Sequence, residues 1–277
     1  MKRNVLLTGL ALLLAGMIWI PPVLAGPYAP AAGQTGSTAI HMDDPAFVGW
    51  ATGWQNYIVG TYDNSSTPVD AQWRTPDEAL GRAVGTSFDI VTLGKGGSIV
   101  LTFDKGIGNG TGWDFAVFEN SFNDTFLELA YVEVSSNGTD FFRMFNDSLT
   151  SSPVGGFGAV DPTNIDGLAG KYRQGYGTPF DLASLDGVSS LLDINSVYHV
   201  RIVDICGDGT YLDSSGKPIY DPYPTVGSPG FDLDAIGVLH AASPVPIPGA
   251  VWLLGSGLLA LIGIRRGRFE GGRCENL

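Results

Sequence analysis

The residue types best suited to chemistry are the acidic side chains between Asp204 and Asp234. Aspartates recur there among glycines and prolines, a composition typical of loops. Ca²⁺ takes roughly six to eight oxygen ligands from carboxylates, carbonyls and water, which loops can supply. The spacing does not match an EF-hand loop, which has acids at alternate positions and a closing Glu. We therefore predict a loop-built Ca²⁺ site on a β scaffold, with ligands drawn from Asp204, Asp221, Asp232, Asp234 and Glu119.

Two members of this set are separated by a single residue within an apolar run. If that run is a strand, Asp232 and Asp234 lie on the same face of it. Carboxylates buried together without a cation repel strongly, and a bound Ca²⁺ would remove that repulsion. We therefore expect the metal to stabilise the fold.

Aromatic side chains form a second group of candidates. A β-sandwich with exposed indole rings can bind carbohydrate by stacking the rings on sugar faces. The alternative is that these rings fill the core, where aromatic residues contribute most of their energy. The candidates for sugar stacking are Trp50, Trp54, Trp73 and Trp113.

Signals for catalysis are weak. The chain contains neither a His-Glu-x-x-His zinc motif nor a Gly-x-Ser-x-Gly nucleophile elbow. His41, His199 and His240 are the only histidines, and two of them lie in or beside strand-like runs, where a structural role is the commoner one. A pair of carboxylates for glycoside hydrolysis cannot be selected from so many acids. We therefore predict a protein that is not an enzyme, with a secreted hydrolase as the third reading.

Charge is distributed unevenly along the chain. The formal net charge is −13, and all acidic residues except Glu270 and Glu275 lie within residues 26–244. A surface this acidic argues against nucleic acid and anionic lipid as partners, because like charges repel. It suits solubility outside the cell and affinity for divalent cations. Of the two cysteines, Cys206 lies in a strand-like apolar run and is expected to be buried.

Both ends of the chain carry long apolar segments. Lys2 and Arg3 precede an uncharged apolar run that ends in a small-residue site at Ala25, so residues 1–25 are predicted to be a secretory signal peptide. Residues 245–268 form an apolar segment followed by arginines, with a length near the lower limit of about 17–25 residues for a bilayer span. Arginines there favour a cytoplasmic end, which makes residues 269–277 a short cytoplasmic tail and directs residues 26–244 outward.

The C-terminal segment also resembles a known sorting signal. It joins a Pro-x-Pro motif, an apolar helix and an arginine cluster, carried here by Pro246, Pro248, Arg265 and Arg266. This ordered set resembles the PEP-CTERM signal of Gram-negative bacteria. The resemblance implies processing by an exosortase, a membrane transpeptidase-like enzyme, and release to the cell surface or beyond after membrane anchoring through the C-terminal helix. In this chain Ile247 stands where the family usually has Glu between the prolines.

The elements that must position these candidates are short β-strands. Alternating or continuous apolar runs predict strands over residues 98–103, 114–119, 130–135, 198–206 and 231–239, with a hairpin turning at Asn137-Gly138. Helical signal is confined to a turn or two after Asp44 and another over residues 181–185, and residues 149–197 are expected to be strand-poor. We predict an all-β, antiparallel, jelly-roll-like sandwich over residues 41–244, preceded by a flexible lead-in over residues 26–40.

Several blocks within residues 80–240 resemble a family of bacterial cell-surface jelly-roll proteins. They include residues 94–99, 114–120, 132–135, 177–182, 200–204, 218–222 and 230–238. The resemblance implies the fold and the location. We expect an exported, calcium-stabilised protein with a structural or adhesive role in exopolysaccharide or biofilm. The alternative is a carbohydrate-binding module that recognises surface polysaccharide.

Overall fold

The computed structural model describes residues 25–243 of the chain. The predicted signal helix, the C-terminal transmembrane helix and the sorting residues Pro246, Pro248, Arg265 and Arg266 lie outside these residues. Between residues 25 and 243, no helix combines the length and apolar character needed to cross a bilayer.

Short strands dominate the described part of the chain. Strands take 31% of the residues and helices 6%, so the predicted all-β class is confirmed. The strands are β1 (Ile40–His41), β2 (Gly49–Trp50), β3 (Gly53–Ile58), β4 (Val91–Thr92), β5 (Ser98–Ile107), β6 (Phe115–Glu119), β7 (Ala130–Ser135), β8 (Phe142–Arg143), β9 (Asp147–Ser148), β10 (Ile165–Asp166), β11 (Tyr176–Phe180), β12 (Val197–Asp204) and β13 (Asp232–Val238). The helices are short 3-10 turns at Ala71–Trp73, Pro76–Ala79, Pro162–Asn164 and Leu182–Leu185.

The main strands form two antiparallel sheets. The first has the order β1-β11-β6-β13-β2, with β4 pairing β13 beyond the end of β2. The second has the order β3-β5-β12-β7-β8. A separate two-stranded ribbon joins β9 to β10. Because most neighbours in these sheets are distant in sequence, with the β7–β8 hairpin as an exception, residues from several segments lie together at the strand ends.

One hydrophobic core is shared by the two sheets. Alternate side chains of β5, β7 and β12 contribute from one sheet, and those of β6, β11 and β13 contribute from the other. The core includes Leu101, Val132, Ile202, Phe115, Phe180 and Ile236. Each such side chain stabilises the fold by roughly 1.5–3 kcal/mol through loss of contact with water.

The outer face of the first sheet is also covered. Phe47 and Trp50 from the segment around β2 pack on Phe118 of β6 and Ala235 of β13. Every residue of β6 and β13 is therefore buried, including the acidic ones. This second covering layer explains why carboxylates on these strands are shielded from water.

The strands predicted at β5, β6, β7, β12 and β13 are confirmed within a few residues, as is the hairpin between β7 and β8. The predicted helical turn over residues 181–185 is also present, at Leu182–Leu185. The stretch over residues 149–197, predicted to be strand-poor, contains the short strands β10 and β11, and β11 pairs with β6 in the middle of the first sheet. Pro179 is tolerated there because β1 reaches only Tyr176 and Gly177, so the missing N–H leaves no ladder bond unmade.

Residues 26–40, predicted to be a flexible lead-in, lie against the domain. The Gly26 backbone N–H donates to the Thr163 hydroxyl at 2.6 Å, and the Tyr28 N–H donates to the Thr163 carbonyl at 3.1 Å. Ala31 and Ala32 are buried, and the segment continues into β1.

Candidate functional site

Three buried acidic side chains lie close enough to influence one another, two at strand ends of the first sheet and one just before β7 of the second. We call them the carboxylate cluster: Glu119, Glu128 and Asp232. Glu119 is the last residue of β6 and lies opposite Leu233 of β13. Asp232 is the first residue of β13 and lies opposite Thr92 of β4. Glu128 lies two residues before β7. All three are buried, with 1% exposure for Glu119 and Asp232 and 5% for Glu128.

The hydrogen bonds of the cluster leave two carboxylate oxygens without a partner. Asp232 accepts from the Thr92 hydroxyl and, at 3.1 Å, from the Asn120 side-chain amide. Glu119 accepts at Oε2 from the Ser121 backbone N–H at 2.7 Å. Glu119 Oε1 and Glu128 Oε1 are both buried and have no hydrogen-bond partner among the described residues. Buried polar atoms without partners are rare, so each needs an explanation.

Burial and mutual repulsion set the electrostatics of the cluster. Desolvation raises the pKa of Glu119 well above its ordinary value, and the charges of Asp232 and Asp234 raise it further. Desolvation likewise raises the pKa of Glu128, and Asp232, Glu119 and Asp221 add to that effect. The pKa of Asp232 is raised by burial to about 7. Burial therefore makes all three carboxyls resist ionisation, and the charges of neighbouring acids add to this effect at Glu119 and Glu128.

Basic side chains do not offset these charges. Among residues 25–243, no Lys, Arg or His forms an ion pair with Glu119, Glu128 or Asp232. By contrast, Glu133 on β7 is paired with both Arg143 and Arg201. Within the same range, no three Asp, Glu, His or Cys side chains already stand in the arrangement of a metal site.

A cavity of about 270 Å³ opens above the cluster, and we call it the aromatic pocket. Its walls are rings from four separate segments, and its polar lining includes two members of the carboxylate cluster. The aromatic lining residues are Trp73, Phe88, Phe122, Phe126 and Phe157. The polar side chains are Ser87, Asn120, Glu128, Thr225, Ser228 and Asp232.

The rings of the aromatic pocket form two stacked groups. Trp73 and Phe88 are nearly parallel with centroids 6.2 Å apart. Phe126 stacks between Phe122, at 4.7 Å, and Phe157, at 6.1 Å. Three of these rings are largely open to solvent, with exposures of 78% for Phe88, 60% for Phe122 and 76% for Phe157. Exposed aromatic clusters of this kind mark interaction sites.

A tight loop holds Phe122 and Phe126 in place. The Asn123 side-chain oxygen accepts from the backbone N–H groups of Thr125, at 2.8 Å, and Phe126, at 2.7 Å. The Ser121 hydroxyl closes the same loop by donating to the Phe126 carbonyl. Asparagine commonly organises turns in this way. The loop also connects Glu119 and Asn120 to Glu128, so it links the rings to the carboxylate cluster.

No family model, curated protein or solved structure matches this chain. Its function is therefore inferred from the site and from the signals in the sequence.

The residues predicted to bind Ca²⁺ are brought into one region, although with separate partners. Glu119 and Asp232 belong to the carboxylate cluster. Asp204 and Asp221 are buried beside it, where Asp204 accepts from the Phe231 N–H and Asp221 from the Leu129 N–H, both at 2.8 Å. Asp234 lies in a bulge of β13 and accepts from the Val84 N–H at 3.0 Å and the Gly85 N–H at 2.9 Å.

The tryptophans predicted to stack on sugar lie at four different places. Trp73 lines the aromatic pocket. Trp50 packs against Phe47 and Phe118 on the outer face of the first sheet. Trp54 is 41% exposed and donates its ring N–H to Asp77 at 2.7 Å, and Trp113, at 42% exposure, lines a different cavity.

The sequence interpretation missed Glu128 and the phenylalanine rings of the pocket. A signal for Glu128 was present, because it is the single acid within the apolar run of residues 126–130. Its neighbours Leu127 and Leu129 are fully buried in a second hydrophobic cluster, and Glu128 between them is buried as well. No local pattern marks the phenylalanines, which come together only through the fold.

Proposed function

We propose that this protein is an exported adhesive protein of the bacterial cell surface or extracellular matrix, and that its domain binds polysaccharide in the aromatic pocket. The observation that carries the proposal is the combination of exposed stacked rings with a polar lining in one cavity. We also propose that the two antiparallel sheets form a jelly-roll-like sandwich, a fold that commonly presents such sites at its ends.

The chemistry of the pocket fits a sugar. A pyranose ring has an apolar C–H face that packs on an aromatic ring, and its hydroxyl groups form hydrogen bonds at the edges. Ligand sites of this kind combine mostly apolar walls with a few polar groups that fix orientation. Glu128, Asp232 and Asn120 provide those groups here. Because the described domain and this lining are acidic, we propose a neutral glycan and not an anionic one.

The location rests on the ends of the sequence. A signal peptide over residues 1–25 and a PEP-CTERM-like segment over residues 245–268 support export, transient anchoring by the C-terminal helix, and processing by an exosortase. The strongly acidic composition supports a role in a hydrated extracellular matrix.

The test compares two phenylalanines that are equally exposed. Phe122 lines the aromatic pocket and Phe145 lies elsewhere, and each is 60% exposed. The full chain would be purified in a detergent without a sugar headgroup and titrated with soluble neutral polysaccharides in the presence of Ca²⁺. We expect Phe122→Ala to weaken binding by about tenfold, corresponding to about 1.4 kcal/mol, and Phe145→Ala to leave the affinity unchanged.

Two results would oppose this proposal. The first is that no neutral polysaccharide binds the wild-type chain. The second is that Phe145→Ala weakens binding as much as Phe122→Ala, which would show that the pocket is not the site. Release of reducing ends during the same incubations would support the hydrolase reading.

A further inference from the structure

We propose that the carboxylate cluster is a divalent-cation site of the Ca²⁺ type, and that the cation forms the floor of the aromatic pocket and takes part in holding the ligand. The first half depends only on the cluster. The second half rests on the proposed polysaccharide binding.

The two unpartnered oxygens are the observation that points to a ligand. Glu119 Oε1 and Glu128 Oε1 come from different segments, one at the end of β6 and one before β7, and both are buried without a hydrogen bond. A carboxylate in this position would ordinarily be paired with a basic side chain or coordinate a metal. No basic side chain among the described residues pairs with either one.

The available donor atoms suit a hard cation. The lining offers carboxylate oxygens from Glu128 and Asp232, the side-chain amide of Asn120 and the hydroxyl of Ser228. Calcium accepts carboxylate, amide and hydroxyl oxygens in flexible geometry, whereas zinc prefers nitrogen and sulfur. The three histidines are not among the residues that line the pocket.

Among the described residues, no three Asp, Glu, His or Cys side chains already stand in the arrangement of a metal site. Cation binding would therefore require a side chain to rotate, and Glu128, which lines the cavity, has space beside it for such a rotation. A bound cation would attract each carboxylate, and this attraction would replace the repulsion between them.

The position of the cluster gives the cation a role in binding. Glu128 and Asp232 are shared between the cluster and the cavity lining, so a cation held by them faces the space between the stacked rings. Calcium keeps several coordination positions for outside oxygens, and vicinal sugar hydroxyls can take two of them. The aromatic walls would then hold the ring faces while the cation holds the hydroxyls.

The test measures Ca²⁺ binding and thermal unfolding of the full chain in a detergent without a sugar headgroup. Titration of the metal-stripped protein with CaCl₂ at pH 7.5 should show one site, and a hundredfold excess over Kd should raise Tm by about 5–10 °C. Glu128→Gln should lower the Ca²⁺ affinity at least about tenfold.

Asp104→Asn provides the matched control, because Asp104 is exposed on β5 away from the cluster. It should leave both the Ca²⁺ affinity and the Tm in chelator unchanged. Glu119→Gln serves as the second variant and should reproduce the loss of Ca²⁺ affinity. The proposal is overturned if CaCl₂ produces neither heat nor a shift in Tm, or if Glu128→Gln and Glu119→Gln bind Ca²⁺ as the wild type does.

The two halves fail in different ways. If Ca²⁺ binds and Glu128→Gln abolishes it, the cation site is established even if no polysaccharide binds. If polysaccharide binds equally well in CaCl₂ and in chelator, the cation has no part in ligand binding, and that half is overturned while the proposed function stands.

Discussion

A change of pH in the absence of metal should reveal how strongly the carboxylate cluster opposes folding. Burial raises the pKa of Asp232 from 3.8 to about 7. Between these two values the folded protein keeps a proton that the unfolded chain has lost, so the free energy of unfolding falls as pH rises. The full difference is about 4 kcal/mol, at roughly 1.4 kcal/mol for each pKa unit. The stabilisation is complete below pH ~4 and is lost as pH rises through ~7.

The assay is urea denaturation of the full chain in chelator at pH 5 and pH 8, where about 3 kcal/mol of that difference should be lost. Asp232→Asn should remove this component, so the variant should lose correspondingly less stability than the wild type over the same interval. Asp104→Asn, at an exposed position, should behave as the wild type does. A pH dependence that is the same in Asp232→Asn and the wild type would refute the assignment of the effect to this carboxyl.

Two further predictions concern buried charges outside the cluster. Burial lowers the pKa of Lys171 from 10.5 to about 8, so the folded state disfavours its charge and stability should rise with pH between these values. Lys171→Met should therefore be up to about 3 kcal/mol more stable at pH 7 in urea denaturation, and a loss of stability would contradict this. Asp114 is fully buried and accepts from the Gly110 and Leu182 N–H groups and from His240, so Asp114→Ala should lower the free energy of unfolding by about 3 kcal/mol or more. A difference below about 1 kcal/mol in the same assay would count against that network.

The strands that could be predicted are those whose own residues show an alternating or continuous apolar pattern. β12 alternates in burial because one of its faces packs on the core, and β13 is apolar on both sides because a second layer covers its sheet. Both patterns are readable without knowledge of the fold. β11 was missed because its sequence, Tyr-Gly-Thr-Pro-Phe, contains two residues that disfavour strands. It is held by its pairing with β6, an interaction across about sixty residues that no window of sequence contains.

The residues of the candidate site were harder to predict from the sequence than the strands, for the same reason. The abundance of acids made a cation a sensible prediction, and Glu119 and Asp232 were among the chosen residues. Which acids lie together, however, depends on antiparallel pairing that places the end of β6 beside the start of β13, and on the packing of the two sheets that brings the segment before β7 near them. The sequence around Asp204, Asp221 and Asp234 is as rich in acids and glycines as the rest of the segment, yet each of these aspartates accepts a backbone N–H. Glu128, by contrast, has a buried oxygen without a hydrogen-bond partner.

That difference separates structural acids from candidate ligands in this protein. An acid whose oxygens accept backbone N–H groups stabilises a turn or a bulge and gains little from a cation. An acid that is equally buried but lacks donors costs free energy unless it is protonated or coordinated. Glu119 Oε2 accepts the Ser121 N–H, but Glu119 Oε1 and Glu128 Oε1 are buried oxygens of the second kind. The cavity that Glu128 lines is walled by solvent-exposed rings. Two costly features, unpartnered carboxylate oxygens and exposed aromatic rings, thus occur at one place, and this is why we propose a cation and a sugar as its ligands.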